Sequence, residues 1–239
     1  VFMMGRIADT PWGLSSTFLL SAIVLVLGSI ILRRIDEPGL ARTTTVAPFA
    51  WSAVWNVPFV AFLIGGMLVF GPIYANNYYF GIYVTSIGGS TTLVGTLFLV
   101  AVLCEIPFMK VAYQIVAKLG TVNVLAGAAF ISAIRNGWLA LEPPLLVVWI
   151  LAIVQGLVVG LLIPVALQFV RSLVSLNVTS TAIGVYMALT SGLATAAFNQ
   201  LSGIIIEVDS IIGVFWMYTA VSLLGAALFL GMRRFREKG

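Results

Sequence analysis

Apolar residues in this chain come in long blocks separated by short polar or charged stretches. Runs long enough to cross about 30 Å of hydrocarbon fall at 14–32, 57–84, 91–117, 120–141, 145–171, 178–204 and 209–232. The pattern predicts seven helices. Several runs exceed the minimum of about 20 residues, which predicts tilted helices or interfacial ends. A membrane barrel would need short segments of alternating polarity, and the chain has no such alternation. The expected fold class is an all-α membrane protein, a polytopic transmembrane helix bundle.

Composition fits that pattern. Apolar residues make up 61% and charged residues 8% of the chain, with a mean hydropathy of +1.14. A water-soluble domain of 239 residues needs far more charge to cover its surface. The lipid bilayer is therefore the first partner, and the net charge of +4 does not point to nucleic acid. Read by position, the charges give a topology. Arg33, Arg34 and Arg42 lie between the first two spans, Lys118 between the third and fourth, and Arg171 between the fifth and sixth. Arg233, Arg234, Arg236 and Lys238 follow the last span. The intervening connections carry no charge, or only Glu142, or Glu207 and Asp209. By the positive-inside rule the basic connections and the C-terminus are cytoplasmic in a multi-pass inner or plasma membrane protein. The single cysteine, Cys104, lies inside a span and rules out an intrachain disulfide.

An internal repeat points to two halves. Gly5-Arg6-Ile7-Ala8-Asp9, then Gly13 and Phe18, matches Gly203-Ile204-Ile205-Ile206-Glu207, then Gly213 and Tyr218. Both copies precede a span ending in an arginine pair, Arg33-Arg34 or Arg233-Arg234. Repeats of this kind are how transporter halves show themselves in sequence. On this reading residues 1–32 are the end of an N-terminal helical half, its last span at 14–32. Residues 33–56 are a cytoplasmic linker, and 57–239 a six-helix C-terminal half. Helices preceding Val1 are then expected partners within the same protein.

Three ionisable residues lie well inside spans: Glu105, Lys110 and Arg135. Glu105 is about 20 Å of helix from either end of its span. A carboxylate in mid-membrane costs near 3 kcal/mol on insertion scales, so it is a functional candidate by default. An apolar setting favours its neutral form, and a nearby guanidinium favours the ionised one. Swapping those environments would load and release a proton, which makes Glu105 the expected coupling acid and Arg135 its partner or a solute anchor. The alternative is a static Glu105–Arg135 pair that ties two helices together. Lys110 can snorkel towards the cytoplasmic end.

Pro72 is expected to kink the second span, with Asn76, Tyr79 and Tyr83 on one face beyond it. Ser132 and Asn136 share a face with Arg135. Gly156, Gly160 and Pro164 form a small-residue stripe suited to close packing, with Gln155 beside it. Ser191, Thr195 and Asn199 recur every four residues. Neutral amides and phenols suit a hydroxyl-rich solute. The expected solute contacts are Asn76, Asn77, Tyr79, Tyr83, Asn136, Gln155 and Asn199.

The stretches Asn76-Asn77-Tyr78-Tyr79-Phe80 with Tyr83, Glu105-Ile106-Pro107-Phe108-Met109, Ile134-Arg135, and Gln155-Gly156 with Gly160 and Gln168-Phe169 carry a family resemblance. So does Val214-Phe215-Trp216. The chain resembles the major facilitator superfamily from the end of its helix 5 to helix 12, closest to lactose-permease-like symporters and sugar efflux transporters. The resemblance implies alternating access and movement of a sugar-like solute coupled to protons. Two departures stand out. The span 145–171 lacks the Lys/His/Glu cluster of the lactose-permease-like group, and the loop motif after the third span is reduced to Lys118-Leu119-Gly120.

Other classes fare poorly. The chain has no histidine, which removes a histidine–zinc motif and a Ser–His dyad. Asp9, Asp36 and Asp209 all fall in connections, so there is no intramembrane aspartyl pair. An enzyme is not expected, and neither is a metal or organic cofactor. The last span has no lysine for a retinal Schiff base. Efflux of hydrophobic drugs and a seven-helix receptor remain the alternatives. The amide-rich lining favours sugars over drugs.

Overall fold

The computed structural model describes residues 13–32 and 55–233. The first copy of the repeat up to Asp9, most of the linker 33–56 and the charges from Arg234 onward lie outside these residues. Each block read from hydropathy is helical: α1 (Gly13–Leu32), α2 (Val57–Ser86), α3 (Thr91–Leu119), α4 (Thr121–Ala140), α5 (Leu145–Leu173), α6 (Thr179–Met187), α7 (Thr195–Val208) and α8 (Ile211–Gly231). There is no strand among the described residues. The sixth span departs from expectation. It is not one regular α-helix: a short 3₁₀ turn, Leu176–Val178, opens it, and a π-helical segment, Ala188–Ala194, separates α6 from α7.

Polar residues at the block edges fix where the helices start. Asn56 Oδ1 accepts from Phe59 N at 2.8 Å ahead of α2, and Ser90 Oγ accepts from Leu93 N at 3.2 Å ahead of α3. Each satisfies a first-turn N–H that has no partner inside its helix. Between α3 and α4 the chain turns on Gly120 alone, at φ +81°, a conformation that glycine adopts without steric cost. Pro72, Pro107 and Pro164 all sit inside continuous helices. At Pro72, α2 runs on unbroken to Ser86.

Five spans among the described residues are long and apolar enough to cross a membrane: α2, α3, α5, the combined Leu176–Val208 stretch and α8. α4 is 20 residues long, but Asn123, Arg135 and Asn136 dilute its apolar character. It turns Ser132, Arg135 and Asn136 inward, where all three are buried.

The core forms two apolar clusters, one towards each end of the bundle. In the first, Phe62 of α2 meets Phe169 of α5 at 5.0 Å, Tyr186 of α6 at 5.5 Å and Phe229 of α8 at 5.8 Å between ring centroids. In the second, Tyr83 of α2 packs edge-on to Phe215 of α8 at 4.8 Å. Aromatic pairs at such distances contribute about 0.5–1.5 kcal/mol beyond area burial. By contrast α1 leaves Leu19, Leu25 and Ile31 more than half exposed.

The stripe on α5 packs as the sequence predicts. A Cβ on Gly156 would collide with the Ala101 carbonyl oxygen and come 2.7 Å from Cys104 Cβ. A Cβ on Gly160 would come 2.7 Å from the Glu105 carbonyl oxygen and 3.0 Å from Phe108 Cβ. Only hydrogen fits, because the obstacle is largely α3 backbone. Gly156→Ala should therefore lower stability by about 1–3 kcal/mol through overpacking. The measurement is thermal unfolding of the detergent-solubilised protein; an unchanged midpoint would mean the helices have room to part.

Candidate functional site

A polar layer lies between α2, α4 and α5. Arg135 is 2% exposed. Its Nε donates to the Leu151 carbonyl oxygen at 3.0 Å and its Nη1 to Asn136 Oδ1 at 3.1 Å. The guanidinium carbon stands 5.6 Å from the centroid of the Phe80 ring, a cation–π contact that partly offsets lost hydration. No carboxylate forms an ion pair with it among the described residues. This removes the static Glu105–Arg135 pair in the conformation seen. The guanidinium bonds to α5 and to its own neighbour.

Asn76 and Gln155 join Arg135 in lining a cleft of about 10 Å³, roofed by Phe80, Leu97, Phe98, Ala101 and Ala152. Asn76 is 3% and Gln155 9% exposed. Asn76 Oδ1 is buried without a hydrogen-bond partner, and Gln155 makes no side-chain hydrogen bond among the described residues. Three polar side chains from three helices thus converge with hydrogen-bonding capacity to spare. A buried group in that state costs about 1–3 kcal/mol, so this cluster is held at an energetic disadvantage.

Glu105 is half-buried on α3, the least buried of the five long apolar spans from Val57 onward. Its backbone is seated on Gly160, and its carboxylate makes no hydrogen bond or ion pair among the described residues. On the polar stripe, Ser191 is exposed, Thr195 is buried and Asn199 is half-buried. The stripe is interrupted because the π-helical segment adds backbone between its members. Thr195 Oγ1 donates back to the Thr190 carbonyl oxygen at 3.3 Å, which draws that hydroxyl into the wide turn.

Other expected contacts divide. Tyr79 donates to the Asn199 carbonyl oxygen at 2.7 Å and joins α2 to α7. Asn77 is exposed beside Tyr78. Tyr83, expected as a solute contact, is instead fully buried between Phe80 and Phe215 in this structure, with no partner for its hydroxyl. Tyr83→Phe should leave solute KM within about twofold of wild type and stability equal or higher, because it removes an unsatisfied buried group. Transport kinetics and a melting curve check both halves of that expectation. A link that sequence reasoning missed is the Ser202–Tyr218 hydroxyl pair, 2.8 Å apart and fully buried between α7 and α8. Nothing in the spacing of two residues on separate helices announces such a pair.

With this geometry in hand, three comparisons bear on the chain. A family model described as "MFS_1 like family" matches residues 14–218. The maltose permease of Geobacillus stearothermophilus is 40% identical over 175 residues, covering 72% of this chain and 44% of that protein. The uncharacterized transporter YwbF of Bacillus subtilis (strain 168) is 29% identical over 232 residues, covering 96% of this chain and 58% of its own length. The chain spans about half the length of the curated relatives it matches. No solved structure matches it.

Proposed function

Because the chain belongs to the MFS_1 like family of membrane transporters, we propose that it is the C-terminal part of a secondary transporter for a small, sugar-like solute, coupled to protons by alternating access. On this reading α1 closes one helical half, 33–56 link the halves, and the helices from Val57 onward form the second half. The basic connections and the C-terminus face the cytoplasm of an inner or plasma membrane.

The observation that carries the proposal is the convergence of Asn76, Arg135 and Gln155 with unused hydrogen-bonding capacity. Amides without partners, beside a guanidinium whose remaining N–H groups are unused, suit hydroxyls, which both donate and accept. The name of the 40% identical relative, a maltose permease, supports a sugar over a hydrophobic drug. In the cleft's present width only a hydroxyl-sized group fits, so a solute engages these side chains after the helices part. Glu105 supplies the proton site: a half-buried carboxylate on a span, with no cation paired to it, changes charge as its wetting changes.

The test is uptake by the full-length protein in liposomes with an imposed pH gradient, against a panel of maltose, other sugars, nucleosides and dyes. Gradient-driven accumulation of a sugar is the expected result. Accumulation of dyes alone would replace the solute class, and no gradient-driven movement across the panel would sink the coupling mechanism.

A further inference from the structure

A second polar site lies apart from the Asn76–Arg135–Gln155 cluster, at the end of the bundle where α2 and α4 begin and α5 and α8 finish. A cavity of about 420 Å³ opens there. We propose that it binds a phosphate oxyanion, held by the N-terminus of α4 and the hydroxyl of Thr121.

Two independent features point to an anion. α4 starts at Gly120 with no side-chain hydrogen bond capping it, so its first N–H groups and the positive end of its dipole face outward unneutralised. Asn123 does not fill the role, since its amide donates back to the Leu119 carbonyl oxygen at 2.6 Å. The second feature is Thr121 itself. It is 8% exposed, lines the cavity and makes no side-chain hydrogen bond among the described residues, so its hydroxyl is free to donate to a group in the cavity. Two negative dipole ends also reach this end of the bundle, and each has carbonyls engaged: Asn56 Nδ2 donates to the Leu173 carbonyl oxygen of α5 at 2.8 Å, and Met232 N donates to the Leu228 and Phe229 carbonyl oxygens of α8 at 3.1 Å.

Among the described residues the surrounding charge has one sign. Arg171 and Arg233 are exposed and adjoin cavity-lining Ser172 and Met232, and Lys118 lies in the last turn of α3, two residues before Gly120. The carboxylates among the described residues are Glu105, Glu142, Glu207 and Asp209. They lie in mid-span or at the opposite helix ends. Basic clusters between spans at the bundle end are suited to phosphate headgroups. The rest of the lining, including Val122, Phe169 and Met232, is apolar, which fits a phospholipid's glycerol and upper acyl carbons. The shared chemistry is the phosphate group, whether carried by a lipid or free in solution.

The experiment uses the full-length protein in phosphatidylcholine nanodiscs, with or without a minor fraction of phosphatidylglycerol. Native mass spectrometry counts retained phosphatidylglycerol, and ³¹P line broadening reports inorganic phosphate in the discs that lack it. Wild type should retain one phosphatidylglycerol through delipidation, or bind phosphate. Thr121→Val should weaken that binding about tenfold, as expected for losing one hydrogen bond to a charged group. Thr121→Ser should restore it, and unchanged melting of the valine variant excludes misfolding. Phosphatidylglycerol alone held identifies a lipid site; inorganic phosphate bound and competing with the lipid identifies a soluble anion. Binding of neither by wild type, or equal binding by wild type and Thr121→Val, overturns the proposal.

Discussion

Replacing Glu105 with glutamine is expected to abolish uphill accumulation of solute while leaving exchange across the membrane in place. With one proton per solute, a gradient of one pH unit supports roughly tenfold accumulation; the variant should reach parity and stop. Glutamine keeps the size and hydrogen-bonding reach of a protonated glutamate but cannot ionise. The half-buried side chain has no partner among the described residues to lose, so folding should be unaffected. Counterflow of labelled solute between equal pH values isolates the translocation step and should run near the wild-type rate. Intact accumulation in the variant would move the coupling acid elsewhere, and loss of counterflow as well would make Glu105 a solute-binding group.

Arg135→Met is the second variant with a large expected effect, and stability and activity should move in opposite directions. A guanidinium that is 2% exposed, bonded to one carbonyl and one amide, has left water without a counter-charge. Replacing buried charge by an apolar chain of similar volume is often neutral or stabilising by about 1–4 kcal/mol. The melting midpoint should therefore hold or rise. Transport should fall about tenfold or more, since a hydrogen bond from a charged donor is worth about 1.5–3 kcal/mol. Arg135→Lys should restore little, because an ammonium cannot reproduce the planar fork. A lowered midpoint with proportionate loss of transport would instead make Arg135 a structural tie.

The helices were legible because hydrocarbon imposes one blunt requirement, a long apolar run, and breaks in those runs sit at polar caps. Asn56 ahead of Val57-Pro58 and Ser90 ahead of Thr91 are readable as helix starts, and the ends predicted at 84 and 117 fall within two residues of Ser86 and Leu119. The close-packing stripe was legible for a similar reason: two glycines one turn apart leave a groove only backbone can fill. The π-helical segment was not legible. Its sequence, Ala-Leu-Thr-Ser-Gly-Leu-Ala, has no proline and reads as ordinary helix, and the wide turn lies against α2, where Gly66 faces Thr190 and Tyr186. Nor could the site be read in full. Asn76, Tyr79 and Tyr83 share a helical face by spacing, yet they meet α4 and α5, α7, and α8 respectively. A helix surrounded on several sides has no single functional face. The absence of a Glu105–Arg135 pair has the same origin, because neighbours in sequence order need not point their charges at each other.

The glycine seat between α5 and α3 carries a mechanical consequence. With Gly156 against Ala101 and Gly160 against Glu105, the two rods are keyed together. Sliding one past the other by a helical pitch of 5.4 Å would drive side chains into main chain along the seam. Glu105 therefore cannot slide along its neighbour; any displacement of α3 has to carry α5 with it.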